Sequence, residues 1–346
     1  PSMSVPDPAP ARKPRRLGLI LPFVLLFLAM IVWSGFWFWT RIQVGDRMDA
    51  TAETLRSAGY EVSWGTRSIG GYPFRLNVTL TDAVIREPSG WALATQRLES
   101  EAYMHALGRW IFAAPDGLTF TRPRSGSVQV TGQMIRASLG NAEAKPPRFD
   151  FEGRELTFTP TPGAQPFALS QAKKVAFHLR PGPEDHGALF LEVEDGQAQM
   201  SGLFARIAQD GDIDLKWDAL LTKMSAFDGP DWPNAVRNWS QAGGMAQVRE
   251  AGLTAGEAVI GVNRGQLFVG PDGRLRGTLD VTLREAPDAL EALGAGGVLP
   301  PETADTAAAV AAARQGADNV AQAAITFQAG QTTLGPVAIG PAPRVY

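Results

Sequence analysis

The stretch VAFHLRPGPEDHGALFLEV, residues 175–193, decides the fold. Val175, Phe177 and Leu179 fall on one side of an extended chain, and Leu189, Leu191 and Val193 do the same on the far side of a turn running from Pro181 to Gly187. A period of two on both arms of a proline- and glycine-rich turn is the pattern of an antiparallel hairpin with one apolar face.

The same period recurs in both directions from this hairpin. Upstream it appears at Tyr60, Val62 and Trp64, at Leu76, Val78 and Leu80, at Ala102, Met104 and Ala106, and at Trp110 and Phe112. A Pro115-Asp116-Gly117 turn, Leu118, Phe120, Val128 and Val130 complete the pattern of a meander of short strands. Between Asn141 and Gln171 five prolines interrupt Phe149, Phe151, Leu156, Phe158, Phe167 and Leu169, which reads as edge strands broken by proline.

Downstream, Ile213, Leu215 and Trp217 form another strand, and Asp231, Trp232, Val236 and Trp239 mark a helix over Pro233–Ala242 that stops at Gly243-Gly244. A second Pro271-Asp272-Gly273 turn joins Leu267 and Val269 to Leu275, Leu279, Val281 and Leu283. Residues 287–293 and an alanine-rich run from Glu302 to about Ala324 read as helix, and Ile325 and Phe327 reopen a strand. The fold class expected is therefore mainly β with a few helices (α+β), a curved and mostly antiparallel sheet.

The N-terminal end is different in kind. From Leu17 to Trp39 the chain reads LGLILPFVLLFLAMIVWSGFWFW without an ionisable side chain. As a helix this spans roughly 34 Å, enough for one crossing of a ~30 Å hydrocarbon layer. It is too long for the apolar run of a cleaved signal peptide and ends without small residues. Arg12, Lys13, Arg15 and Arg16 precede it and Arg41 follows it, which predicts a cytoplasmic N-terminus.

The organisation expected is a cytoplasmic basic tail (1–16), a transmembrane helix (17–39), a juxtamembrane helix (40–59) and a β-rich domain outside the cytoplasm (60–346). Met48, Ala52 and Leu55 give the juxtamembrane segment its helical spacing, and Gly59 stops it.

Composition narrows the chemistry. The 346 residues include no cysteine, which removes disulfides, thiolate nucleophiles, iron–sulfur clusters and cysteine-containing zinc sites. With the tail at +3 and the whole chain at −3, the remainder carries −6, an argument against nucleic acid as a partner. His105, His178 and His186 have no companion at metal-ligand spacing. Asp210, Asp212 and Asp214 open like a calcium loop, but Leu215 and Leu221 stand where glycine and glutamate are needed, so they read as the solvated face of a strand.

No phosphate loop, dinucleotide fingerprint, zinc helix or serine elbow is present, so no enzyme activity, cofactor or metal is expected. Asn77 and Asn238 match the short glycosylation pattern, which carries no weight alone.

The most unusual local sequence is SIGGYPFR, residues 68–75: Gly70, Gly71, Tyr72, Pro73, Phe74 and Arg75 follow one strand and open the next. Two glycines and a proline make a tight corner with packed aromatics its plain structural reading. The basic tail, the single apolar helix, this corner, the PDGRLRGTLDV hairpin (271–281) and the terminal LGPVAIGPAPRVY (334–346) resemble a bacterial envelope family, domain of unknown function 2125. The resemblance implies a bacterial inner-membrane, single-pass protein with a periplasmic bulk, and implies no activity and no functional residues. In architecture alone, one membrane helix followed by many amphipathic strands is similar to the AsmA-like and lipopolysaccharide-bridge proteins, whose curled sheets form apolar troughs for lipid chains.

The leading expectation is a module that binds or transfers lipid or lipoprotein acyl chains on an apolar concave face, with Phe177, Leu179, Leu189 and Leu191 as lining candidates. Its partners are then the bilayer and those chains. The alternative is a structural protein that displays sheet edges to other envelope proteins without a ligand. An envelope hydrolase comes third, and needs two carboxylates converging in a cleft.

Overall fold

The computed structural model describes residues 17–198, 212–255, 258–284, 301–313 and 320–346. Residues 287–293, read as helix, lie outside them, as do the basic tail and Asp210.

Alternation along the chain becomes strand after strand. The first are β1 (Glu61–Ser63), β2 (Arg67–Gly70), β3 (Arg75–Arg86), β4 (Ala92–Tyr103), β5 (Arg109–Ala113) and β6 (Leu118–Arg122). Then come β7 (Gly126–Thr131), β8 (Met134–Gly140), β9 (Arg148–Pro160), β10 (Leu169–Pro181), β11 (Gly187–Ala198) and β12 (Ile213–Leu221). The last are β13 (Ala246–Ala255), β14 (Ala258–Val269), β15 (Leu275–Arg284), β16 (Val320–Gln328), β17 (Gln331–Leu334) and β18 (Val337–Pro341). All eighteen belong to one sheet, and every pairing among them is antiparallel.

The sheet is a pure meander. β1 and β2 pair with β3 in one continuous register, β5 and β6 with β4, and β7 and β8 with β9. Each of these pairs is one interrupted strand, and the order of positions follows the chain from β1/β2 to β18.

This corrects the reading of Pro115-Asp116-Gly117 as a hairpin turn. The segment is an outward bulge inside a single strand that keeps β4 as its neighbour on both sides: Ala113 sits opposite Glu99 and Thr119 opposite Ala94. Gly117 N–H closes the loop on Ala114 O at 3.1 Å, and Gly117 has φ +84°. Pro271-Asp272-Gly273 does join a hairpin, with Val269 opposite Leu275.

Two further expectations change. β9 is not an edge strand, because it pairs with β10 on one side and with β7 and β8 on the other. Its prolines sit before it, at its last residue or in the following loop, where no ladder N–H is missed. The alanine-rich run is helix over Pro301–Ala313, and Val320–Ala324 belong to β16, opposite Arg284–Asp280 of β15. A neighbouring strand with free ladder groups outweighs the helix preference of alanine.

Among the described residues, three α-helices serve the sheet. α1 runs unbroken over Leu17–Ser57, so the apolar stretch and the segment after it are one helix, closed where Gly59 adopts φ +91°. Ile20–Trp39 present large apolar side chains outward, with Trp37 the exception at 3% exposure. This is one helix long and apolar enough to cross a membrane. Its second half covers the β1/β2 edge: Arg67 holds Asp49 by a fork of hydrogen bonds at 2.6 and 2.9 Å, and Arg56 Nε donates to Val62 O at 2.9 Å. α2 (Trp232–Gln241) is capped by Asp231, whose carboxylate accepts from Asn234 N–H at 2.9 Å. α3 (Pro301–Ala313) buries Ala307, Ala308 and Ala311 on the sheet.

Cross-strand registers assemble the inward side chains into rows. One row reads Leu76, Ala102, Trp110, Leu139, Phe149, Leu179, Leu189, Ala219 and Val248, from β3 to β13. The next row, two residues further along each strand, includes Val78, Phe112, Phe151, Phe177, Leu191 and Trp217. α1 covers one end of this face, where Trp37 packs with Leu76 and Met104. α3 covers the other, over Val248, Val262, Leu279 and Val281.

The bulge reading has a direct consequence. A Cβ on Gly117 would lie 2.6 Å from Val130 O, on top of the positive φ. Gly117→Ala is therefore expected to lower stability by about 1–3 kcal/mol in a denaturant titration, and an unchanged midpoint would contradict the bulge.

Candidate functional site

Between the two helix-covered ends, no described element covers the inward face. There it encloses a cavity of ≈ 780 Å³. Its lining runs from Leu93 and Leu98 on β4 to Leu253 on β13. In a flat sheet these strands would stand roughly 34 Å apart at about 4.8 Å per neighbour. A single cavity touched by both requires the sheet to curl around it.

The bulges supply the bend. On β9, Phe149 and Phe151 face inward, and regular alternation would turn Leu156 and Phe158 outward. Glu155 with φ +49° breaks the alternation without shifting the register to β10, and both line the cavity. Asp195 does the same on β11, where the register with β12 shifts between Val193 and Gly196.

The chemistry of the lining is uniform. Seven of the seventeen phenylalanines are in it, and Arg136 is the one lining residue with an ionisable side chain. That side chain is exposed, between the inward-facing Ile135 and Ala137. Phe158 and Phe167 stack with centroids 4.9 Å apart at one end, with the Arg122 guanidinium 5.8 Å from the Phe167 ring. Most lining side chains, among them Phe112, Phe151, Phe177 and Leu191, are only half-buried. Among the described residues the lining therefore offers apolar contact and no group that could move a proton or attack a bond.

Phe177 and Leu191 lie opposite each other and line the cavity. Leu179 and Leu189 also face each other on the same side, one row nearer the strand ends, and are outside the lining. The larger part of the trough, Phe112, Phe120, Phe151, Leu156, Phe158 and Phe167, was not singled out from the sequence. The density of phenylalanine between residues 149 and 177 was the available signal.

The titratable groups gather on the opposite, outer face. Asp150 accepts from Ser138 Oγ at 3.2 Å and from Arg180 at 2.5 Å, and meets His178 Nδ1 at 2.7 Å. Burial alone would push its carboxyl up, but the bonds from His178 and Ser138 and the Arg180 charge outweigh this and hold it below its ordinary value. Ser138 touches Asp150 and not His178, so the cluster is a cross-strand polar row and lacks the relay of a nucleophilic triad. Asp212 and Asp214 are exposed and Ile213 between them is buried, as a strand face requires. Among the described residues no group of three or more histidine, aspartate and glutamate side chains is placed to hold a metal.

The corner at residues 70–75 is a joint. Trp33 Nε1 donates to Pro73 O and Trp37 Nε1 to Arg75 O, each at 2.8 Å, and Ser34 Oγ and the Tyr72 hydroxyl share a hydrogen bond at 2.8 Å. Gly71 needs its freedom here: φ is +99°, and a Cβ would lie 2.8 Å from Arg75 O.

The other two distinctive motifs meet each other. Val345 N–H donates to Gly273 O, Leu275 N–H to Pro343 O and Trp232 Nε1 to Val345 O, all at 2.8–2.9 Å. A bacterial family described as an uncharacterized protein conserved in bacteria, domain of unknown function 2125, matches residues 37–343. The chain belongs to this family. The match takes in the corner, the hairpin and most of the terminal motif, each of which is a joint of the fold. No curated protein and no solved structure matches the chain. The architectural likeness to AsmA-like proteins is therefore not confirmed by these comparisons.

The Asp150 row gives a pH-dependent expectation. A carboxyl held below its ordinary value stabilises fully above about pH 4 and loses that contribution as pH falls through the lower folded value. Asp150→Ala is expected to cost about 1–3 kcal/mol at pH 7, a gap that narrows at pH 3 in denaturant titrations. A gap independent of pH would contradict the assignment.

Proposed function

We propose that this family member is held in the bacterial inner membrane by α1, with its N-terminal tail in the cytoplasm and its sheet in the periplasm, and that the trough takes up the acyl chain of a lipid or lipoprotein. The observation that carries the proposal is the ≈ 780 Å³ cavity, apolar and half-exposed, on a sheet hydrogen-bonded directly to the apolar helix. Its size lies within the range of small-molecule pockets, and its lining lacks the convergent polar groups that such pockets use to orient polar ligands.

Magnitude favours exchange over permanent occupancy. Burying about ten methylenes at roughly 0.8 kcal/mol each gives about 8 kcal/mol, the equivalent of micromolar affinity before ordering costs are subtracted. That range suits a carrier or a transient holder. With no proton-moving group in the lining, the proposal is of a binding protein and not of a hydrolase.

The edge-display reading has less support. α1 occupies the β1/β2 edge, and the other end of the sheet is the five-residue β18. Other envelope proteins remain partners of the proposal only as donors or acceptors of the bound chain.

Binding of a fluorescent fatty acid to the full-length protein in detergent tests this. Phe177→Ser is expected to weaken it about tenfold, and Leu179→Ser, outside the lining, to weaken it much less, with both variants folded by thermal unfolding. Equal affinities in the wild type and Phe177→Ser would overturn the proposal.

A further inference from the structure

Phe74 is 68% exposed and Tyr72 49% exposed, the two most exposed large apolar side chains among the described residues outside α1. Exposed aromatics at the tip of a tight corner call for a partner. The hydrogen bonds at this corner say at what level they lie.

Trp33 and Trp37 are one turn apart on one face of α1, about 6 Å along its axis. Pro73 O lies in the turn over residues 72–74, which Arg75 N–H closes on Gly71 O at 3.0 Å, and Arg75 O opens β3. Two indole N–H groups thus meet two carbonyls of the corner, and both bonds form at 2.8 Å. The corner is pinned to the helix at two points, and the Tyr72 ring packs 5.5 Å from Trp37 and 6.2 Å from Phe38.

Trp33 is not at the end of the apolar stretch. Trp39 closes that stretch six residues later, about 9 Å further along the axis. When Leu17–Trp39 spans a ~30 Å hydrocarbon layer, the level of Trp33 is at or below the boundary between headgroups and acyl chains. Pro73 is hydrogen-bonded to Trp33, so it shares that level.

We propose that the Tyr72-Pro73-Phe74 corner is embedded in the interfacial layer of the bilayer, as a second membrane contact beside α1. Its partner is lipid at the headgroup–acyl boundary, which accepts the apolar body of tyrosine and phenylalanine and keeps a hydroxyl wet. Arg75 follows directly, with its guanidinium 5.0 Å from the Tyr103 ring and 3.5 Å from the Glu101 carboxylate, and its half-exposed side chain keeps a polar group at the rim of the corner. Two contacts in place of one hold the strand ends beside the corner against the membrane. The Trp110–Leu139–Phe149 row starts at these strand ends, and its Phe149 is also part of the trough lining.

The inference rests on α1 crossing a bilayer, and the test separates the two. The chain has no cysteine, so single cysteines can be labelled without changing the background. Phe74→Cys, Leu26→Cys in the apolar stretch and Arg124→Cys in the β6–β7 turn at the opposite rim would carry an environment-sensitive fluorophore. The labelled full-length protein is reconstituted in phosphatidylcholine–phosphatidylglycerol vesicles containing lipids with a spin label at shallow or deep acyl positions.

The proposal expects a blue shift and loss of emission at position 74 with the shallow quencher, loss at 26 with the deep quencher, and neither at 124. Quenching at 26 with position 74 behaving like 124 would overturn the embedded corner and leave the anchor intact. No quenching at 26 would overturn the anchor, and this inference with it.

Discussion

One antiparallel sheet with no second sheet stacked on it has to hide an apolar face, and that constraint organises the molecule. A flat sheet of this width would leave the face in water. Curling it inward, with the break of alternation at Glu155 keeping Phe149, Phe151, Leu156 and Phe158 on one side and a bulge at Asp195 on β11, encloses part of the face. Helices finish the ends: α1 lays Trp37 over Leu76, and α3 lays its alanines over β13–β16. What neither helix reaches is the trough. The cavity follows from how this fold covers its own core, and the function proposed for it uses that remainder.

The distinctive sequences are joints between these parts. SIGGYPFR turns on Gly71 and offers its carbonyls to two tryptophans of α1. Gly273 of the β14–β15 turn cannot carry a side chain, because a Cβ would lie 2.8 Å from Tyr346 O, and the terminal residues close over that turn against α2. Sequence that is unusual without being catalytic is what such joints require: glycines where backbones touch, and aromatics whose N–H or O–H finds a carbonyl or hydroxyl.

The strands were legible because burial on one face writes a period of two into the chain, as at 175–193. The apolar helix was legible from length alone. Misreadings came where local chemistry has two tertiary outcomes. A Pro-Asp-Gly turn closes a hairpin at 271–273 and only an outward bulge at 115–117, and the difference is which strand the following residues pair with. Alanines at 320–324 have helical preference, yet the ladder of β15 claims them. Prolines near β9 suggested an edge, but they lie at its ends. The trough was legible only in part, because its lining is gathered from strands between β4 and β13 and the bulges that aim it leave no periodic signature.

Native mass spectrometry of the full-length protein, extracted from bacterial membranes in mild detergent, tests most directly whether the trough holds lipid. The account predicts a population carrying one added mass of a membrane lipid or acylated species, lost when Phe151 and Phe177 are both changed to serine in a protein that still folds. A spectrum of the bare chain alone, unchanged after addition of fatty acid or phospholipid, would contradict it.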